Sequence, residues 1–171
     1  MNGQIDASLR TRELTASITI AAPPEKVFGA LSDVRRMPEW SPECVEVWVM
    51  PGRSAPGLFF IGFNRNGARR WATLCRVTKS EAPREFTFRV SVLGLPVALW
   101  GFRIYPVHGA AQGSAQVVQY WKDLRRGRRG RITDLLGQVG AGTSPAARVL
   151  TNRLGMTATL YQLKRSLEGS S

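Results

Sequence analysis

The sequence predicts an α+β fold in which a curved antiparallel sheet of about seven strands wraps around one long C-terminal α-helix, with two short helices after the first strand. Three observations predict it. Residues 13–21 alternate apolar and polar, as a half-buried strand does. Residues 44–124 then hold about six short strands in sequence, punctuated by turn signals. From residue 144 the apolar period changes to that of a helix. The 171 residues suit a single domain with its own core. We expect residues 1–12 to form a tail, residues 13–168 the domain, and residues 122–143 a basic loop between the last strand and the long helix.

Each element has a local reason. In ELTASITIA, Leu14, Ala16, Ile18 and Ile20 fall on one strand face. PPEKVFGALSD starts a helix: Pro24 suits the first turn, Glu25 favours its positive end, and Val27, Phe28 and Leu31 make an apolar stripe. Asp33 is expected at that helix's end. Pro38 and Pro42 then interrupt regular structure on either side of Trp40. CVEVWVM (44–50), GLFFIGFN (57–64) and the segment that follows Asn66-Gly67, a strong hairpin signal, read as strands. So do the run containing Phe86, Phe88 and Val90, and LWGFRIYPV (99–107) and SAQVVQYWKDL (114–124), which form a last hairpin. Ser144 and Pro145 open the final helix. Val149, Leu150, Leu154, Met156, Leu160, Leu163 and Leu167 recur there at helical spacing, and Arg148, Arg153, Lys164 and Arg165 are expected to point to water.

Charge and motif content narrow the function classes. The formal net charge is +12, with much of the excess in KDLRRGRRGR (122–131). Such a run reads first as a solvated loop. The sharper reading is a peripheral contact with an anionic membrane through Arg125, Arg126, Arg128 and Arg129. Nucleic acid is disfavoured, because no reading motif accompanies the run. One histidine, His108, and two distant cysteines, Cys44 and Cys75, do not make a metal site, and no cofactor motif occurs, so neither metal nor cofactor is expected. The start lacks an apolar export signal and no apolar run approaches ~20 residues, so we expect a cytoplasmic protein with reduced cysteines.

The stretches ITIAAPPEKVFGALSDVRRMPEWSP, FNRNGARRWATLCRVTKSEAPREFTFRV and WGFRIYPVHGAAQGSAQVVQYW together resemble the START-like (SRPBCC) superfamily with its Bet v 1-like helix-grip fold, in its bacterial polyketide cyclase/dehydrase-type branch. Where related sequences often carry a Glu in the last strand, this chain has Val117-Val118-Gln119. The matching motifs specify fold and none is catalytic. The resemblance implies a cavity between sheet and long helix, lined by Trp40, Phe60, Trp71, Thr73, Cys75, Phe88, Trp100, Phe102, Gln119, Trp121, Met156 and Leu160. Trp40 has two compatible roles there, a wall at the cavity mouth or a filler between short helix and sheet. The implied function is binding or transport of a small hydrophobic molecule, lipid or polyketide-like. The alternatives are a polyketide cyclase/aromatase-type enzyme, for which no acid/base or nucleophile constellation is recognisable, and a polyanion-surface binder using the Arg-rich loop.

Overall fold

The computed structural model of the chain describes residues 12–109, 113–126 and 145–169. The order is β1 (Glu13–Ile20), α1 (Pro24–Ser32), a 3-10 helix (Val34–Glu39), β2 (Cys44–Val49), β3 (Phe59–Asn66), β4 (Arg69–Glu81), β5 (Glu85–Val92), β6 (Leu95–Val107), β7 (Ser114–Asp123) and α2 (Pro145–Glu168). All seven strands join one antiparallel sheet in the order β1-β7-β6-β5-β4-β3-β2. The two ends of the β2–β7 meander are therefore far apart, and β1 returns to pair with β7. No helix among the described residues is long and apolar enough to cross a membrane.

The strand faces sort by period. Phe60, Cys75, Val77, Phe86, Phe88, Val90, Phe102, Ile104, Val117, Gln119 and Trp121 all turn to the concave side and are buried. Opposite them lie the buried Val27, Phe28 and Leu31 of α1 and Met156, Leu160, Leu163 and Leu167 of α2. Phe28 meets Phe86 edge-on at 6.5 Å, Phe86 meets Phe88 at 6.3 Å, and Phe88 meets Phe60 at 5.5 Å, so a chain of rings runs along the floor of the sheet.

Three local expectations are corrected. Pro38 does not end regular structure; it lies inside the 3-10 helix, whose shorter hydrogen-bond ladder tolerates it, and Asp33 caps that helix by accepting from the Arg35 N–H at 3.3 Å. The sixth strand begins at Leu95 rather than Leu99, because Leu93 and Gly94 both take positive φ (+49° and +77°) and close a two-residue hairpin turn. Lys122 and Asp123 lie at the end of β7, inside the strand expected over 114–124. In α2, Leu150 and Leu154 face outward, 60% and 63% exposed, while Asn152 and Thr159 face inward and are buried.

Candidate functional site

A cavity of about 150 Å³ lies between the concave face and the first half of α2. The sheet supplies Phe60, Trp71, Thr73, Cys75, Phe88, Val90, Trp100, Phe102 and Gln119, which alternate along β3 to β7 and so share one face. The helix supplies Thr151, Asn152, Gly155, Met156 and Thr159, one residue or pair per turn. The segment after α1 closes one side with Met37, Trp40, Ser41, Pro42, Glu43 and Cys44. Ten of the twelve side chains expected on the wall are there: Trp40, Phe60, Trp71, Thr73, Cys75, Phe88, Trp100, Phe102, Gln119 and Met156. Trp121 and Leu160 are not. Both are fully buried in the packed core: Trp121 lies between Leu14 of β1 and Trp100 of β6 in register, and Leu160 stands one turn beyond Met156, where the interior is filled. Trp40 combines both roles considered for it, being buried against the core and also on the cavity wall, with Arg36 stacked on its ring at 5.4 Å.

The polar groups of the wall form two clusters. On the sheet, Asn64 donates from Nδ2 to the Gly62 carbonyl at 3.1 Å and to Thr73 Oγ1 at 3.4 Å, and Thr73 lies 3.8 Å from Cys75 Sγ. A side chain on Gly62 would press on Thr73 Oγ1 at 3.3 Å, so the glycine keeps this strip open. Burial pushes the Cys75 thiol up to about 12 and the Cys44 thiol up to about 11, so both stay protonated and unreactive at neutral pH. Gln119 is the exception to satisfied polarity: it is 4% exposed, and its Oε1 has no hydrogen-bond partner among the described residues.

At the mouth, Arg148 of α2 reaches across to the sheet. It donates from Nη1 to Glu43 Oε1 at 2.9 Å and from Nη2 to Glu43 Oε2, and its guanidinium lies 5.5 Å from the centre of the Trp71 ring. Asn66 Nδ2 donates to the same carboxylate at 3.3 Å. Arg148 was expected to face water; its planar fork instead pairs two-to-two with a carboxylate while stacking on an indole, which a solvated lysine could not do. Two turns further along, Gly155 faces Pro42, and a Cβ added there would meet the proline ring at 3.6 Å, an ordinary van der Waals contact. Glu43, Asn64 and Arg148 were not among the expected site residues. Only Asn64 carried a signal, its parity with Phe60 and Gly62 along β3; Glu43 and Arg148 carried none.

The arginines proposed for membrane contact divide. Arg125 is buried and engages Asp123 through Nε at 2.9 Å and Nη2 at 3.2 Å, so it is unavailable to a surface. Arg126 is exposed and donates to the Asp123 and Arg125 carbonyls. Arg128 and Arg129 lie outside the described residues. No group of three or more potential metal ligands occurs among the described residues.

A family model described as "Polyketide cyclase / dehydrase and lipid transport" matches residues 11–168. The chain belongs to that family. No curated protein matches it. Among solved structures it is similar to a polyketide-cyclase-like protein of Corynebacterium glutamicum, at 28% identity over 92% of both chains with a TM-score of 0.60. A START superfamily protein from Mycobacterium smegmatis aligns over 94% of this chain and 99% of its own at 12% identity and a TM-score of 0.67. An aromatase/cyclase from Streptomyces sp. R1128 aligns over 92% and 93% at 16% identity and 0.63. At these last two identities the likeness establishes the helix-grip fold and nothing finer.

Proposed function

We propose that this family member binds a small, ring-bearing hydrophobic molecule that carries one hydrogen-bond donor, and holds it in the cavity under α2 as a carrier or binding module. The observation that supports this most is Gln119 Oε1, buried on an aromatic wall without a partner among the described residues. An orphaned buried acceptor costs about 1–3 kcal/mol, and a ligand hydroxyl or N–H would remove that cost. The wall around it is aromatic, which favours a flat ring over a bare alkyl chain. Size agrees: an engineered apolar cavity of about 150 Å³ accepts benzene, so the enclosed part of this one takes about one ring and leaves a fused second ring toward the open mouth. A phospholipid or sterol would leave most of itself outside the mouth.

The cyclase reading would rest on Glu43, the one carboxylate on the cavity wall among the described residues. Arg148 holds both of its oxygens, so it is engaged as an ion-pair partner and not poised as a base.

The test compares 1-naphthol with naphthalene by fluorescence titration. The unaltered protein is expected to bind naphthol about ten-fold more tightly, the worth of one hydrogen bond to a buried acceptor. Gln119→Leu should abolish that preference while retaining naphthalene. Equal affinities for the two probes in the unaltered protein would contradict the reading.

A further inference from the structure

On the outer, convex side of β2–β5 the side chains form ordered rows. Trp48, Ile61 and Leu74 stand side by side in register, and Phe63 and Ala72 make the next row. Trp48 is 60% exposed, and Met50, Phe63 and Leu74 are exposed beside it. A row of arginines borders this belt on each side. Arg76 sits directly opposite Arg89, with Arg76 and Arg53 both over the Phe59 ring at 5.5 and 6.0 Å; at the other border Arg65 sits directly opposite Arg70. Arg53, Arg65, Arg70, Arg76 and Arg89 are all exposed, and none has a carboxylate partner among the described residues. Glu46 is the one acidic side chain in the patch.

Both features work against the folded monomer in water. Like charges directly opposite on neighbouring strands destabilise a sheet. A contiguous exposed apolar belt likewise marks an interaction site. Elsewhere on the same outer face the pattern is the reverse: Glu85 accepts from Lys79 at 2.7 Å, Arg103 at 3.2 Å and Tyr120 at 2.9 Å, so charge is compensated there.

We propose that the outer face of β2–β5 docks on an anionic phospholipid bilayer, with Trp48, Phe63 and Leu74 entering the headgroup layer and the two arginine rows contacting lipid phosphates. Charge complementarity selects this occupant. A second copy of the chain, also at +12, would set the same arginines against each other. Single-stranded nucleic acid would stack on Trp48 and Phe63 but gain nothing from Ile61 and Leu74, whereas a bilayer surface accepts aliphatic and aromatic groups alike. The surface is separate from the Arg-rich run at 122–131, and the inference does not depend on what the cavity binds.

Co-sedimentation with vesicles of phosphatidylcholine plus phosphatidylglycerol tests it, with pure phosphatidylcholine vesicles and a single-stranded oligonucleotide as comparators. The protein is expected to bind the anionic vesicles and not the neutral ones, with binding that weakens as salt is added. A basic residue near an anionic leaflet contributes about a five-fold factor, so Arg76→Gln/Arg89→Gln is expected to lower partitioning about 25-fold. That double variant should also unfold at slightly higher denaturant, because it relieves a repulsion, which separates lost binding from lost folding. Trp48→Ser should weaken vesicle binding with the arginines intact, and Arg126→Gln should leave it unchanged. Three results would overturn the proposal: no binding to anionic vesicles, a double variant that partitions like the unaltered protein, or oligonucleotide binding that alone responds to these substitutions.

Discussion

The two halves of α2 do opposite work. From Leu160 onward its inward positions are Leu160, Leu163 and Leu167, all buried in a filled core. That half is tied to the sheet and to α1 by Lys164 Nζ donating to the Thr19 carbonyl at 2.8 Å, Lys26 Nζ donating to the Leu167 carbonyl at 3.0 Å, and the Ala21 N–H donating to Glu168 at 2.7 Å. From Arg148 to Thr159 the inward positions are Thr151, Asn152, Gly155, Met156 and Thr159, which face the cavity, and the polar latch to Glu43 replaces the leucine contacts. A single helix thus anchors the fold with one half and roofs a binding space with the other. Amphipathic packing fixes the C-terminal half; the N-terminal half carries small and polar residues where it lines the cavity.

The largest contrast should appear in stability. Leu163→Ala is expected to cost about 2–5 kcal/mol in urea denaturation, as deletion of a well-packed leucine does, whereas Thr151→Ala should cost less than about 1 kcal/mol. Similar costs would erase the distinction between the halves. In binding the order reverses. Trp71→Ala or Trp100→Ala is expected to weaken 1-naphthol about ten-fold through lost aromatic area, while Arg126→Ala changes it less than about two-fold. Arg148→Ala sharpens the comparison at the mouth. Its pair with Glu43 is partly exposed, with side chains at 22% and 20%, so stability should fall by no more than about 1 kcal/mol. Stopped-flow release of the probe should nonetheless become faster.

The outer face, away from both halves, should affect cavity binding least. Burial alone would raise the Glu85 carboxyl, but Lys79, Tyr120 and Arg103 outweigh it and hold the carboxyl below its ordinary value of 4.5. A carboxylate depressed in the folded state adds stability above its unfolded value and loses it as pH falls through the folded one. Glu85→Gln should therefore flatten the decline in stability below about pH 4.5, and leave binding in the cavity untouched. Tyr120, raised by burial and by the Glu85 carboxylate, lies so close over Gly101 that an added Cβ would come within 2.2 Å of its ring. Gly101→Ala should displace that ring and cost about 1–3 kcal/mol.

How far the sequence could be read follows the same division. The family resemblance put Phe60, Cys75, Phe88, Phe102 and Gln119 on the inward face, and strand alternation holds them there, because a half-buried strand cannot shift register without exposing its apolar side. Periodicity found Leu160, Leu163 and Leu167 for the same reason. It was mixed over the first half of α2: Val149 and Met156 do turn inward, but Leu150 and Leu154 point outward while Asn152, Gly155 and Thr159 face the cavity. A helix facing a cavity has no apolar stripe to betray its orientation. The Arg148–Glu43 latch was invisible because its partners are 105 residues apart and neither belongs to a motif. The start of β6 was missed because Leu93-Gly94 is an unusual hairpin pair and Pro96 reads as a strand breaker, yet Pro96 falls at a register shift where its missing N–H is tolerated.

The most direct measurement is the denaturation midpoint and naphthol affinity of Thr159→Leu. In a filled core, an added leucine side chain forces strain and costs about 1–3 kcal/mol. In a roof over open space it occupies the cavity. Thr159→Leu is therefore expected to leave stability unchanged or raised and to abolish 1-naphthol binding. A destabilised protein that still binds naphthol as tightly as before would contradict the division of α2 into an anchor and a roof.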